Sequence, residues 1–236
     1  MTNLIIRWKR IGYSNAVLIL NGENSILVDT GVKGNIHQFD RFFRQNKINP
    51  ADIKLIILTH THYDHTGNLS ELQKLTGARV LVHRNEYENL KQGFIPIPPG
   101  QRFYTKFLTK LGKLFVPRFA SPEPFMADLI NDDEFDLSAF GIKGKVISTP
   151  GHSTGSQSVI LDKSIICGDV FMNLIYGSKF PHFAENASAL LITWKKIFDM
   201  GIEDIYPAHG KKMKVEKVYP AFKKWKKKLG MEDSFS

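Results

Sequence analysis

The chain has 236 residues, of which 42% are hydrophobic and 23% charged, and this composition excludes a disordered or fibrous protein. Its single cysteine, Cys167, cannot form an intramolecular disulfide, and basic residues stand at positions 7, 9 and 10, where a secretory signal needs its apolar segment. No apolar run reaches the roughly 18–20 residues that cross a bilayer. We therefore expect a soluble, cytoplasmic protein without a transmembrane segment.

The formal net charge of +9 comes mainly from the C-terminal part of the chain. Residues 211–230 hold nine lysines against one glutamate, whereas the first 210 residues are close to neutral for their length. Phe222, Trp225 and Leu229 follow the spacing of one helical face. The pattern predicts a helix that packs on the core through these residues and leaves its lysines in solvent, so nucleic acid is not the favoured partner.

The predicted elements of the first half alternate between strands and helices. Apolar runs and turn signals predict strands at residues 4–9, 14–20 and 25–29. A helix with the apolar stripe Ile36, Phe39, Phe42 and Phe43 follows, and residues 53–58 form the continuous apolar run typical of a strand buried on both faces. We then predict a loop at 59–66, a helix at 69–75, a strand at 79–83 and a helix that starts near Glu86.

The second half of the sequence has a similar pattern of strands and helices. We predict strands near residues 126–130, 135–137, 145–148, 158–161 and 164–167, a helix at 187–199, a strand at 204–206 and the lysine-rich helix from about Pro220. Strand-rich halves that each end in helices predict two sheets face to face with helices outside. Because no low-complexity tract or linker divides the chain, we predict one domain over residues 1–236.

The segment with the strongest chemical signal directly follows the buried strand. Within six positions it holds four potential metal ligands, and three of them belong to the eight histidines of the chain: His60, His62, Asp64 and His65. In an extended chain His60 and His62 project to the same side, whereas the next two side chains diverge at a turn toward a second point. One metal ion could not readily be coordinated by all four side chains, so the segment predicts more than one metal position.

Three further residues of ligand type occur where later strands end. They are His152, Asp169 and His209. Taken singly, such a residue is more often a helix cap or a hydrogen-bonded polar group. Together with the first segment, they complete a set of seven candidate ligands.

In this order, and on this pattern of strands and loops, the motifs resemble those of the metallo-β-lactamase superfamily over nearly the whole chain. The resemblance implies an α/β fold, the four-layer αββα sandwich, with a two-metal site along one edge of the sheets. Carried over residue by residue, it implies a first metal held by His60, His62 and His152, a second held by Asp64, His65 and His209, and Asp169 as a bridge. It also implies that Asp29, in an Asp-Thr-Gly segment, supports the site from behind.

The types of the candidate ligands indicate which metals would bind and which reaction they would support. Imidazoles and carboxylates suit zinc, and also iron or manganese, while no thiolate stands at a ligand position. Two divalent ions about 3.5–4 Å apart can share a water and lower its pKa toward about 7. We therefore expect a zinc-dependent hydrolase that cleaves a small ester, thioester or lactone with a bridging hydroxide, in which Asp64 and Asp169 are the catalytic carboxylates.

Comparison with branches of the superfamily narrows the range of expected activities. True metallo-β-lactamases lack the bridging carboxylate and are typically exported, so antibiotic hydrolysis is not expected of a chain with Asp169 and no signal. Acyl-homoserine lactonases share the seven ligands but have a tyrosine where this chain has Met172. The Tyr-Pro-Ala-His-Gly segment is similar to that of glyoxalase II-like thioesterases, although little chain follows His209 for their glutathione-binding extension.

Three other functions stay open at this point. A mono-iron sulfur dioxygenase has the same fold and uses the first metal position alone. The lysine-rich helix could recruit nucleic acid to a metal-dependent phosphodiesterase. A catalytically silent metal-binding scaffold is the third alternative, and the complete ligand set argues against it.

Two further residues have competing interpretations. Ser153 lies in a Gly-x-Ser-x-Gly segment like a hydrolase nucleophile elbow, but an elbow needs a helix directly after the serine and a strand is predicted here. His182 follows the candidate bridging aspartate in a loop that should border the site, and substrate contact is one interpretation of it.

Residues 94–124 interrupt the pattern with several prolines and an amphipathic segment at 103–115. We predict that this insertion forms a lid over the site and contacts substrate through Phe103 and Phe107. Packing of its apolar face into the core, formation of a homodimer, and contact with a membrane surface are the alternatives.

Overall fold

The computed structural model describes residues 4–94, 99–101, 123–174 and 178–232. The first of two six-stranded sheets contains, in chain order, β1 (Ile5–Ile11), β2 (Ser14–Leu20), β3 (Ser25–Val28), β4 (Ile53–Ile57), β5 (Arg79–His83) and β6 (Leu129–Asn131). Strands β1 to β3 are antiparallel and β3 to β6 are parallel. The carboxyl ends of the parallel strands therefore meet at one edge of this sheet.

The second sheet is built from the second half of the chain. Its strands are β7 (Glu134–Asp136), β8 (Lys145–Ser148), β9 (Gln157–Leu161), β10 (Ser164–Ile166), β12 (Asp204–Tyr206) and β14 (Met213–Lys214). They lie in the order β14-β12-β10-β9-β8-β7, with β10 and β12 parallel. Two short strands, β11 (Met172–Asn173) and β13 (His209–Gly210), pair separately in parallel.

The described helices are α1 (Ile36–Gln45), α2 (Tyr63–Thr66), α3 (Leu69–Thr76), α4 (Arg84–Gln92), α5 (Ala187–Asp199) and α6 (Tyr219–Lys228). All except the four-residue α2 cover the outer faces of the two sheets. Apolar residues of α1, α3 and α4 form one buried cluster with the first sheet, and residues of α5 and α6 form another with the second. None of the helices in the described ranges is long and apolar enough to cross a membrane.

A third apolar cluster lies between the sheets, and β3 illustrates how the sequence builds it. Ile26 and Val28 point into the layer between the sheets, whereas Leu27 points into the helical layer, and all three are buried. Because successive strand residues face opposite sides, a strand covered on both faces is apolar throughout. The layers therefore follow the order αββα, which confirms the predicted fold class.

The structure corrects several predicted boundaries. The predicted loop 59–66 contains the short helix α2, and the predicted strand at 126–130 lies at Leu129–Asn131. Strand β3 ends at Val28 because Asp29 adopts a left-handed backbone with φ of 60°. Helix α4 begins at Arg84, two residues before the predicted start, where the ring of His83 accepts a hydrogen bond from the Asn85 amide.

The lysine-rich helix packs as its pattern predicts. Trp225 is buried and stacks on Phe180, with 3.8 Å between the ring centroids. Lys223, Lys224 and Lys227 are exposed on the other side. The positive charge is thus carried on the solvent face of α6.

Candidate metal centre

All seven predicted ligands follow the carboxyl end of a strand, and the structure brings them together. Strand β4 leads into His60 and His62, and the following helix α2 carries Asp64 and His65. The remaining three follow β8, β10 and β12: His152, Asp169 and His209. Because one edge of the sandwich receives the ends of strands from both sheets, residues up to 149 positions apart converge on one buried site.

The first ligand group consists of His60, His62 and His152. His60 Nε2 lies 2.9 Å from His62 Nδ1, and the same His62 nitrogen lies 3.0 Å from His152 Nε2. The three rings are nearly perpendicular to one another, with interplanar angles of 80–83°. Three ring nitrogens that converge from perpendicular planes surround one point, as ligands of a single ion do.

The second ligand group consists of Asp64, His65 and His209. Asp64 Oδ2 lies 3.2 Å from His209 Nε2 and 3.7 Å from His65 Nε2. Asp64 and His65 are neighbours in α2, so their side chains leave the helix about 100° apart and approach this ligand group from different directions. This helix explains how adjacent residues contribute ligands without blocking each other.

Asp169 lies between the two groups. Its Oδ1 is 3.3 Å from His209 Nε2 and 3.5 Å from His65 Nε2, whereas its Oδ2 is 3.6 Å from His152 Nε2. Each carboxylate oxygen thus faces a different ligand group. This is the placement that a carboxylate bridge between two ions requires.

Two buried atoms of the site lack a hydrogen-bond partner among the described residues: His65 Nε2 and Asp169 Oδ1. A buried polar atom left in this state costs about 1–3 kcal/mol. Both atoms point toward the space shared with His209 and are of types that bind divalent cations. The donor set therefore fits metal ions in both ligand groups.

The buried charges shift the pKa values of the histidines in opposite directions. Burial lowers the pKa of His209, but the carboxylates of Asp169 and Asp64 outweigh this effect and raise it to about 10. At His65 burial is likewise outweighed, by Asp64 and Asp29, and its pKa lies well above the usual value. Burial and the neighbouring His152 lower the pKa of His62 to about 3.

The same interactions set the charge of Asp169 and His60. Burial raises the pKa of Asp169, but His209 and His152 hold it well below its usual range. Burial, followed by the charge of His65, lowers the pKa of His60. Neutral imidazoles at His60 and His62 and an ionised Asp169 are the states in which these residues bind metals.

Asp29 supports the second ligand group from behind. Its Oδ1 accepts a hydrogen bond from the Thr59 amide at 2.8 Å, and its Oδ2 accepts from the Thr59 hydroxyl and from His65 Nδ1, both at 2.8 Å. The bond to His65 Nδ1 leaves Nε2 of the ring directed at Asp64 and Asp169. Asp29 thus stands where the resemblance implies, in a backbone conformation that non-glycine residues rarely adopt.

Backbone carbonyls orient two more candidate ligands. His152 Nδ1 donates to the Phe183 carbonyl at 2.9 Å, and His209 Nδ1 donates to the Tyr13 carbonyl at 3.1 Å. These bonds place the proton on Nδ1 and leave Nε2 of each ring facing the site. Gly168 allows the approach of Asp169, because a Cβ there would lie 2.4 Å from Thr59 Oγ1.

The structure adds residues that the sequence analysis missed. Tyr13 and Tyr63 are 42% and 38% exposed, their hydroxyl groups are hydrogen-bonded, and the Tyr13 ring stacks on His209. Asn15 holds the segment around His209 through hydrogen bonds from its side-chain amide to the Pro207 and Gly210 carbonyls. Tyr63 lies inside the histidine motif and could have been noticed there, whereas the contacts of Tyr13 and Asn15 are tertiary.

The remaining predicted residues have different outcomes. Ser153 is buried, its hydroxyl contacts that of Ser156 at 2.9 Å, and strand β9 follows it, which rules out a nucleophile elbow. His182 lies beside Phe183, whose carbonyl holds His152, and its role in substrate binding stays a prediction. Phe103 and Phe107 lie outside the described residues.

The described start of the insertion reaches the site region. Gln101 donates its amide to the His182 carbonyl at 2.8 Å, and the Ala184 amide donates to the Pro99 carbonyl at 3.2 Å. Residues 99–101 therefore run beside the segment that orients His152. The predicted lid, the homodimer contact and their alternatives concern residues 94–124, of which 95–98 and 102–122 lie outside the described ranges, and they stay predictions.

Comparisons with known proteins agree with this geometry. The family model described as "Metallo-beta-lactamase superfamily" matches residues 10–209. A probable metallo-hydrolase of Methanocaldococcus jannaschii is 25% identical over 210 residues, covering 88% of this chain and 93% of that protein. A hydroxyacylglutathione hydrolase of Shewanella pealeana is 25% identical over 130 residues, covering 55% of this chain and 37% of that enzyme.

A solved structure with a similar fold is that of TTHA1623 in a di-iron-bound form. It has a TM-score of 0.63 and 21% sequence identity, covering 87% of this chain and 92% of that one. The family model spans most of the chain, and both the fold and the histidine motif agree with it. The chain therefore belongs to the metallo-β-lactamase superfamily.

Proposed function

We propose that this chain is a metal-dependent hydrolase that holds two divalent ions. The first ion is held by His60, His62 and His152, the second by Asp64, His65 and His209, and Asp169 bridges them. The observation that carries this proposal is the position of Asp169, because its two oxygens face different ligand groups. A site for one ion has no need of the second group or of a carboxylate divided in this way.

Zinc is the proposed native metal, with iron or manganese as alternatives. The candidate ligands offer imidazole nitrogens and carboxylate oxygens, and the single cysteine, the buried Cys167, belongs to neither ligand group. Such donors suit all three metals. The di-iron-bound form of TTHA1623 supports iron as an occupant of this fold.

The chemistry divides between the ions and the chain. When bound, two divalent ions supply a hydroxide nucleophile at neutral pH and stabilise negative charge that develops on the substrate. Asp169 fixes the spacing of the two ligand groups, and Asp29 fixes His65. Asp64 is our candidate for accepting the proton of the attacking water, since its Oδ2 lies in the site within 3.2 Å of His209. A serine nucleophile is not needed.

We propose a small ester, thioester or lactone as the substrate. The probable metallo-hydrolase of Methanocaldococcus jannaschii, whose match covers 88% of this chain, supports hydrolysis. The hydroxyacylglutathione hydrolase supports an acyl substrate, although the match spans about a third of that enzyme. The exposed Tyr13 and Tyr63 beside the second ligand group offer hydroxyl groups for substrate oxygen atoms.

The test combines metal analysis with a substrate panel. Purified chain is analysed for metals, stripped by a chelator, and reloaded with zinc, manganese or iron under anaerobic conditions. Hydrolysis of ester, thioester, lactone and phosphodiester substrates is then measured, with oxygen uptake on persulfide as a separate assay. The proposal predicts hydrolysis of an acyl substrate that is lost with the metals and restored by them, and unchanged in Ser153→Ala.

Other outcomes would replace the proposal. Activity that survives complete metal removal, or that is lost in Ser153→Ala with both metals bound, contradicts a metal-dependent mechanism. Oxygen uptake with one iron per chain and no hydrolysis would favour the sulfur dioxygenase. Cleavage of phosphodiesters alone, with salt-dependent binding of nucleic acid, would favour the phosphodiesterase.

A further inference from the structure

A buried glutamate lies directly behind the first ligand group. Glu86 belongs to the first turn of α4 and is only 4% exposed. Its Oε2 accepts hydrogen bonds from the Thr61 amide at 3.2 Å and from the Thr61 hydroxyl. Burial of a carboxyl group is costly unless it is hydrogen-bonded, so this pairing is a specific feature of the fold.

The contact between Glu86 and Thr61 matters because of the position of Thr61 in the histidine motif. Thr61 stands between His60 and His62, and in extended backbone its side chain points away from the side that the two histidines share. Glu86 accepts hydrogen bonds from both the backbone amide and the hydroxyl of Thr61. The residue that connects two candidate ligands is thereby fixed in backbone and in side chain.

Glu86 also contacts the loop that carries His152. A Cβ on Gly155 would lie 2.5 Å from Glu86 Cγ and 3.1 Å from Oε1, so this loop and α4 touch closely. The loop is held in turn by Glu185, which donates its amide to the His152 carbonyl at 2.9 Å and accepts from the Thr154 amide at 2.7 Å. Glu86 thus touches both segments that supply the first ligand group.

The geometry points to Glu86 as the positioning residue of the first metal site. This inference rests on the proposed two-metal function. Asp29 binds His65 directly, and it also binds Thr59, whose hydroxyl lies 3.1 Å from His60 Nδ1. Glu86 acts on the first ligand group through Thr61, the residue between two of its ligands. Two threonines of the histidine motif are thus each held by a buried carboxyl group.

The test measures metal affinity rather than turnover. Metal-free chain is titrated with Co²⁺ in the presence of a competing chelator, and the visible absorption of bound Co²⁺ reports each site. His152→Ala and His209→Ala assign the two phases to the first and second ligand groups. The variants are Glu86→Ala, Glu86→Gln and the control Glu88→Ala, a glutamate of the same helix whose side chain is 65% exposed.

Glu86→Ala is expected to weaken Co²⁺ binding at the first site by about 10–100-fold, the usual cost of losing a group that orients a metal ligand. The absorption band of that site should change shape, because the histidines lose their fixed geometry. Glu86→Gln should stay within about threefold of wild type, because its amide oxygen still accepts from Thr61. Glu88→Ala should bind as wild type does.

A purely structural role gives a different result. If Glu86→Ala lowers the melting temperature but binds Co²⁺ at the first site within about threefold of wild type, with an unchanged spectrum, the inference is wrong. If Glu86→Ala does not fold, Glu86→Met replaces it, since methionine fills the space of the glutamate and offers no oxygen to the amide and hydroxyl of Thr61. Unchanged first-site binding in Glu86→Met then overturns the inference, and weakened binding supports it.

Failure of the proposed function gives a separate result. A wild-type chain that binds two Co²⁺ ions but hydrolyses no substrate contradicts the hydrolase proposal and leaves the comparison of Glu86 variants valid. A wild-type chain that binds no Co²⁺ contradicts both.

Discussion

Replacement of Asp169 by asparagine perturbs the metal centre while keeping its shape. Asparagine has the volume of aspartate but lacks its negative charge and its second carboxylate oxygen. The second ligand group should lose its metal first, because Asp64 and Asp29 still raise the pKa of His65 and a proton then competes with the metal. The imidazoles of His60 and His62, whose pKa values are lowered, have no such competitor.

The structure sets the size of the effect. Asp169 Oδ1 lies 3.3–3.5 Å from the ring nitrogens of His209 and His65, where a metal ion would be bound. A pair of unit charges at this separation interacts by roughly 5 kcal/mol at an effective dielectric constant of ~20. Water that enters the site recovers part of this energy. If about half is lost, affinity for the second metal falls about 100-fold, and turnover falls with it.

Metal analysis after gel filtration, chelator competition and the rate of hydrolysis together test Asp169→Asn. The exposed Asp199→Asn on α5 serves as the matched control, and circular dichroism checks that both variants fold. An Asp169→Asn chain that keeps two tightly bound metals and a near-normal rate would show that Asp169 is not the bridge.

Three further predictions follow from the same geometry. Asp29→Ala should weaken the second metal by about 10–100-fold, because His65 Nδ1 loses its acceptor; equal affinities for both metals in variant and wild type, measured by Co²⁺ titration, would argue against this. Metal binding at pH 7.5 should release protons from His209, whose pKa is about 10, and from His65, whose pKa is also raised, so the affinity of the second site should rise with pH toward about 10. Calorimetry in buffers of different ionisation enthalpy measures this proton release, and binding heats that do not depend on the buffer would refute it. Phe103→Ala, Phe107→Ala and Leu111→Ala, made singly, should alter the preference between short-chain and long-chain esters; reduced stability with an unchanged preference in all three would mean that residues 94–124 pack into the core.

The sequence predicts the layers of the fold and the candidate ligands along the chain well, because both depend on local sequence signals. The continuous apolar run at β4 requires burial on both faces, and the histidine motif that follows it marks the site. The spacing also indicates that Asp64 and His65 diverge, although the helical turn that separates them was predicted as a loop.

The supporting contacts could not be predicted because they join distant parts of the chain. Thr61 and Glu86 are 25 residues apart, and His209 Nδ1 reaches the carbonyl of Tyr13, 196 residues away. A buried carboxyl group on a helix has no sequence signature that distinguishes it from an exposed one. The two-residue strands β11 and β13 likewise lack the length that a periodic pattern needs.

Anomalous diffraction from crystals of the metal-loaded chain, collected at the absorption edge of the bound metal, tests the central claim most directly. The account predicts two peaks about 3.5–4 Å apart, one in each ligand group, with one oxygen of Asp169 bound to each ion. A single peak at His60, His62 and His152, with Asp64, His65 and His209 bonded only to one another, would contradict it.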